Sequence, residues 1–207
     1  MARLLRLIIL ILLPFAILLA ATGWLFRFEA AYLIYRPELD PAADRYGIPR
    51  CLLAALAWRE SRFQPLRRGQ AGEIGLLQIL PTTAQEWAAT EKADRFCSAD
   101  LLNPATNAMA GAWYLSRALT RWRNAPEPVA HALAEYNAGP SNVLRWHRLS
   151  QSKGLRFTDC ISYPGTRRYV KVILLHYDTF GRPWKRWGDV AGQSRPPLRI
   201  QCSKPPR

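Results

Sequence analysis

Strand signals are nearly absent from this 207-residue chain. No stretch sustains the apolar–polar alternation of a half-buried strand, so a mainly helical fold is expected. Heptad arrays, collagen periods and 20–50-residue repeats are missing, as are flexible Gly/Ser linker runs. Histidine is scarce: His131, His147 and His176 lie far apart and lack the H-E-x-x-H spacing of a zinc site. The four cysteines, Cys51, Cys97, Cys160 and Cys202, form no C-x-x-C pair, which argues against a metal ribbon or a redox motif. No metal and no cofactor are expected. Acidic residues are few, 15 Asp+Glu against 29 Lys+Arg, for a formal net charge of +14. Of the basic residues 24 are arginine, scattered rather than clustered. Such an excess attracts polyanions: nucleic acid, anionic lipid or an acidic wall polymer; a solvated Arg-rich surface accounts for it equally well.

Apolar residues make up 49 % of the chain, with 8 Trp, 8 Tyr and 7 Phe, enough for a sizeable core. The length fits one domain and a short extension. Arg3 and Arg6 precede an uncharged run from Leu7 to Phe26 with Pro14 as its breaker. A membrane span needs about 20 apolar residues and a signal-peptide core about 7–15, so both readings fit. We favour an uncleaved anchor with Arg3 and Arg6 on the cytoplasmic side. Either way the rest of the chain is expected to be exported to an oxidising compartment. There, four cysteines suggest two disulfides of undetermined pairing. Export and the absence of an Arg/Lys stripe both oppose a nucleic-acid partner.

Residues 1–26 are thus read as signal peptide or anchor, 27–37 as a linker, 38–180 as the folded domain and 181–207 as a Pro-rich polar tail. Within the domain Pro49 suits a first helical turn ahead of Leu52, Leu53, Leu56 and Ala57, and that helix should end near Glu60. Thr82 or Thr83 can cap a second helix, and Asn103-Pro104 opens a longer one. Val129, Ala132, Leu133 and Tyr136 mark a fourth, terminated by Gly139-Pro140. Val143, Leu144 and Trp146 suggest a short fifth, and Tyr169 to Tyr177 the last.

Glu60 is the candidate catalytic group. Cleaving a glycosidic bond requires a proton for the departing oxygen, and a carboxyl kept protonated by an apolar surrounding can supply it. Glu60 follows Trp58 at a helix C-terminus, whose partial negative charge disfavours a carboxylate. By itself it would read as a surface partner of Arg59 or Arg62. The surrounding words change that: Glu60-Ser61-Arg62-Phe63-Gln64-Pro65, then Gly75-Leu76-Leu77-Gln78 followed by Pro81-Thr82-Thr83-Ala84. Next come Asn103-Pro104 with Asn107 and Gly111, then Glu135-Tyr136-Asn137-Ala138-Gly139-Pro140, and last Thr166-Arg167-Arg168-Tyr169-Val170.

In order and spacing this series resembles the SLT-type lytic transglycosylases, goose-lysozyme-like enzymes that cut bacterial peptidoglycan, over about residues 38–177. The resemblance implies a helical lysozyme-like domain with a groove for a glycan strand. It implies Glu60 as the single general acid/base and Ser61, Gln78, Tyr136, Asn137 and Tyr169 as substrate-binding residues. Leu77 stands where the family has Met, a change of small consequence between apolar side chains of similar volume. Gly165 stands where a Glu is common. The implied reaction breaks the bond between N-acetylmuramic acid and N-acetylglucosamine and closes a 1,6-anhydro ring, with no second carboxylate needed. The implied partners are peptidoglycan strands and, through the N-terminal run, a membrane. Glu73, 13 residues after Glu60, calls for separate attention. Held to a water it would make the enzyme a hydrolytic muramidase; otherwise it organises its turn by accepting backbone N–H groups. Glu135 is expected to point away from the cleft. A wall-binding adaptor of an envelope-spanning assembly is the remaining alternative.

Overall fold

The computed structural model describes residues 12–14, 27–93 and 95–188. The described residues are helical, with no strand among them: α1 (Arg27–Arg45), α2 (Arg50–Ser61), α3 (Pro81–Thr90), a 3-10 turn (Ser98–Leu102), α4 (Pro104–Arg121), α5 (Pro128–Ala138), α6 (Pro140–Lys153), α7 (Phe157–Cys160) and α8 (Pro164–Gly188). The chain divides into two compact units, residues 1–36 and 37–207.

In the first unit the described residues are 12–14 and the start of α1, where the rings of Phe28 and Tyr32, one turn apart, stack at 6.4 Å. The expected linker at 27–37 is therefore helical. Pro37 and Pro41 lie inside α1 without ending it; each deletes a backbone donor but leaves the neighbouring turns intact. None of the helices is long and apolar enough to cross a membrane among the described residues. The hydrophobic run at 7–26 lies outside them, apart from residues 12–14.

The second unit is built around α2 and α5. Leu52 to Ala57 of α2 are buried without a break. A helix apolar all round belongs in the middle of its domain, and each fully buried leucine there contributes roughly 2 kcal/mol. α2 packs on α8, and α5 packs on α4, α6 and α8. Asn103 caps α4 as its spacing predicts, its side chain accepting the N–H groups of Ala105 and Thr106. α5 ends at Gly139, whose φ of 79° reverses the chain directly into α6. That helix runs 14 residues, longer than its apolar positions suggest.

Three expectations are corrected. α3 starts at Pro81 with Leu80 as a cap that makes no side-chain hydrogen bond, so neither Thr82 nor Thr83 caps it. A proline at the first position has no N–H to satisfy, which lowers the need for a capping side chain. α8 continues past position 181, through Gly181 and Pro183 to Gly188, so the first residues of the expected tail are helical. No disulfide joins any two of Cys51, Cys97 and Cys160. Two disulfides from four cysteines would need at least one bond among these three, so that expectation fails; Cys202 lies outside the described residues. The three sit on separate elements, the start of α2, the edge of the 3-10 turn and the end of α7.

Candidate active site

Glu60 is the penultimate residue of α2, and the chain leaves that helix under constraint. Arg62 (φ 55°) and Phe63 (φ 58°) are consecutive non-glycine residues in the left-handed region, a conformation costing roughly 1–2 kcal/mol each. The surroundings hold them there. Phe63 is buried with its ring 5.8 Å from that of Trp58. The N–H of Arg62 closes on the carbonyl of Trp58 at 3.0 Å. Ser61 is 0 % exposed. Its hydroxyl donates to the carbonyls of Leu76 at 2.8 Å and Ala57 at 3.3 Å, and accepts the N–H of Gln64 at 3.2 Å. Ser61 is therefore not positioned to meet a substrate, contrary to the expectation from sequence. It ties the end of α2 to the following turn and so fixes Glu60.

That turn, Arg67 to Ile79, is a small knot of backbone bonds. Ile74 and Ile79 exchange N–H···O bonds at 3.0 Å in both directions, and Gly75 N–H donates to Arg67 O at 2.8 Å. Asn107 of α4, 0 % exposed, clamps it from below. Its Oδ1 accepts Leu77 N–H at 2.8 Å, and its Nδ2 donates to Ile74 O at 2.7 Å and Leu101 O at 3.0 Å. Gly75 has φ 85°, and a Cβ there would lie 2.2 Å from Asn107 Nδ2, so both conformation and space require glycine. Gln78 lies at the end of the turn with φ 47°. Its Nε2 donates to Gly75 O at 2.9 Å and Arg67 O at 3.1 Å.

Two tyrosines complete the arrangement. Tyr169 of α8, 2 % exposed, donates its hydroxyl to Oε1 of Glu60. Tyr136 of α5 donates to Leu77 O at 2.9 Å, and its ring lies 5.3 Å from that of Tyr114. Burial, and then the charge of Glu60, hold both phenols well above their ordinary pKa, so both remain protonated donors. Burial pushes Glu60 up to about 7. The Tyr169 hydrogen bond and the cations Arg59 and Arg67 pull it down, and Glu73 adds to the rise. Desolvation dominates, which leaves a carboxyl able to hold or release a proton near neutrality. Arg59 also sets its guanidinium 5.1 Å above the ring of Tyr169.

The structure thus gathers Glu60, Tyr169, Tyr136 and the Gln78 turn. Asn137, on the exposed side of α5, accepts the hydroxyl of Thr166 at 2.7 Å through Oδ1; its side chain is engaged with α8 rather than with Glu60. Glu135 is 2 % exposed and turns to α4, where it pairs with Arg121 and accepts Trp122 Nε1–H at 2.6 Å. Asn107 and Thr166 had a signal, since both belong to the same series of words; Arg59 had none that separates it from ordinary surface residues. Among the described residues no group of three His, Cys, Asp or Glu could hold a metal ion. Cavities of about 420 Å³ beside Tyr46 and α4 and about 340 Å³ along α8 are not lined by Glu60.

The family model of the transglycosylase SLT domain matches residues 39–156. The soluble lytic murein transglycosylase of Escherichia coli strain K12 is 34 % identical over 140 residues, covering 65 % of this chain and 21 % of that protein. Membrane-bound lytic murein transglycosylase F of Desulfosudis oleivorans is 30 % identical over 124 residues, covering 58 % and 25 %. Among solved structures, the 70-kDa soluble lytic transglycosylase in complex with bulgecin A superposes with a TM-score of 0.67 at 30 % identity, over 81 % of this chain and 27 % of that one. An inactive mutant of lytic transglycosylase Slt from Pseudomonas aeruginosa gives 0.63 at 27 % identity, over 72 % and 24 %. The chain spans about a fifth to a quarter of the length of these curated relatives.

Proposed function

The chain belongs to the transglycosylase SLT domain family, and from that premise we propose that it is a lytic transglycosylase of the cell envelope that cleaves peptidoglycan strands with Glu60 as its one acid/base. The observation that carries the reading is the half-buried Glu60 carboxyl, raised to about 7 and held by the hydroxyl of Tyr169. Below that pH the group carries the proton a leaving sugar oxygen needs.

Protonated Glu60 delivers its proton to the oxygen joining N-acetylmuramic acid to N-acetylglucosamine. The bond breaks, and the N-acetyl oxygen of the muramic sugar stabilises the cationic C1. Glu60, now ionised and still accepting from Tyr169, takes the proton of the C6 hydroxyl. That oxygen closes on C1 to give a 1,6-anhydro end, and Glu60 is again protonated. No water is consumed, and the enforced closeness of the C6 oxygen to C1 supplies the rate advantage. Gln78 and Asn137 lie beside the groove we assign to the glycan, and Tyr136 holds the turn that carries Gln78 through Leu77 O. The run at 7–26 anchors the protein at the periplasmic side of the inner membrane, a placement supported by relatives named membrane-bound. The net charge of +14 favours residence at an anionic wall.

Digestion of purified sacculi tests this. Mass spectrometry should find anhydro-muramic ends with the wild type and none with Glu60→Gln. Reducing ends would instead make the enzyme a hydrolase. Glu73 is the observation that favours that second reading, as a carboxylate that could hold a water.

A further inference from the structure

The turn that carries Gln78 also carries a second carboxylate. Glu73 Oε2 accepts Ala71 N–H at 3.0 Å, and Glu73 O accepts Gly69 N–H at 2.8 Å. The carboxylate lies directly over Gly69: a Cβ there would sit 2.1 Å from Glu73 Oε2, 2.8 Å from Glu73 Cδ and 3.0 Å from Gln78 Oε1. Gly69 is needed for room alone, since its φ is not in the left-handed region. The ends of Glu73 and Gln78 therefore converge over one bare backbone position. Among the described residues no cation forms an ion pair with Glu73, and its Oε1 accepts no hydrogen bond.

The turn has a fixed place beside Glu60, through the bonds from Ser61 to Leu76 and from Asn107 to Leu77 and Ile74. The groups acting on Glu60 come from every neighbouring element: Arg59 on α2, Arg67 and Glu73 on the turn, Tyr136 on α5 and Tyr169 on α8. Glu73 is the one carboxylate in that set.

We propose that Glu73 is a positioning residue of the site: seated over Gly69 by Ala71, it keeps a second, unneutralised carboxylate facing Glu60. That charge adds to the burial that holds the Glu60 proton. The inference rests on Glu60 being the acid of the proposed reaction. It adds a residue for which the single-carboxylate scheme has no role.

Two variants test it in the intact chain. Glu73→Gln keeps an oxygen for Ala71 N–H and removes the charge; Gly69→Ala keeps the charge and displaces the carboxylate. The readouts are carboxyl NMR of glutamate-labelled protein, with the Glu60 resonance identified by its loss in Glu60→Gln, and sacculus cleavage from pH 5 to 9. In Glu73→Gln the Glu60 resonance should titrate roughly 0.5–1 unit lower than in the wild type. Cleavage should fall about three- to tenfold at pH 8 and stay within about twofold at pH 5. Gly69→Ala should move both readouts in the same direction by less. Should Glu73→Gln not fold, Gly69→Ala carries the test. An unchanged Glu60 titration in a folded variant overturns the role of Glu73. A wild type that leaves sacculi intact overturns the proposed function, and the NMR comparison still decides Glu73.

Discussion

Tyr169 and Glu60 are 109 residues apart in the chain, and the phenol hydroxyl of the first donates to the carboxyl of the second. The pairing depends on α8 lying against α2. It joins a donor that burial keeps protonated to an acceptor that burial keeps near neutrality. Each partner is buried enough to perturb the other, and neither is buried without a partner.

Tyr169→Phe should lower turnover about ten- to a hundredfold, the worth of a hydrogen bond to a charged group expressed as a rate. That bond lowers the proton affinity of Glu60, so its loss should move the alkaline limb of the pH–rate profile upward. A limb that moves downward would contradict the assignment.

Glu60 should cost stability as pH rises. Its folded pKa of about 7 lies above the ordinary 4.5. The folded state therefore resists ionisation, and stability falls as pH climbs from about 4.5 towards 7. Glu60→Gln escapes this penalty. It should unfold at a temperature close to the wild type at pH 4.5 and at a higher one at pH 8, by a free energy on the order of 2 kcal/mol. Calorimetry at the two pH values checks the sign.

Asn107→Ala should destabilise the fold by roughly 2 kcal/mol or more, since it strands Leu77 N–H and the carbonyl of Leu101 in the core and leaves Ile74 O with Ile79 N–H alone. Activity should fall with it, because the same turn positions Gln78. A denaturant midpoint within error of the wild type would show that the clamp is dispensable.

Acid should act elsewhere in the molecule. His131 is fully buried, its ring stacked 3.6 Å from that of Phe157. Its Nδ1 faces the carbonyl of Glu127 at 2.7 Å and its Nε2 faces His147 Nδ1 at 3.0 Å. A carbonyl only accepts, so Nδ1 carries the hydrogen and Nε2 accepts from His147. Burial lowers the His131 pKa to about 4 from 6.5. The unfolded chain therefore binds a proton first, and stability should decline as pH falls from about 6.5 to 4, by up to about 1.4 kcal/mol per pH unit. In His131→Phe that slope should shrink by about one proton; an unchanged slope would contradict the assignment.

The parts of the fold legible in advance were those governed by local chemistry. Asn103-Pro104 and Gly139-Pro140 mark helix ends because one supplies a capping side chain and the other a reversed backbone followed by a residue that starts a new helix. Glu60, Tyr136 and Tyr169 were singled out only as members of an ordered series of words; alone, Glu60 reads as a surface carboxylate and the two tyrosines as core residues. Ser61 was misassigned because adjacency to Glu60 says nothing about direction, and its hydroxyl is spent on Leu76. The helical course of 27–37 was missed because that stretch was read as a connection between the apolar run and the domain, whereas α1 runs through it and past Pro37. The disulfides were inferred from an even cysteine count, and a count does not bring thiols together. The carboxylate of Glu73 over Gly69 had no sequence signature, because it depends on the shape of one turn.

The most direct test of the central claim is muropeptide mass spectrometry of sacculi digested by the wild type and by Glu60→Gln in parallel. The account predicts 1,6-anhydro-muramic ends from the first, no ends from the second, and a folded variant by calorimetry. Anhydro ends released by folded Glu60→Gln at a rate comparable to the wild type would contradict it.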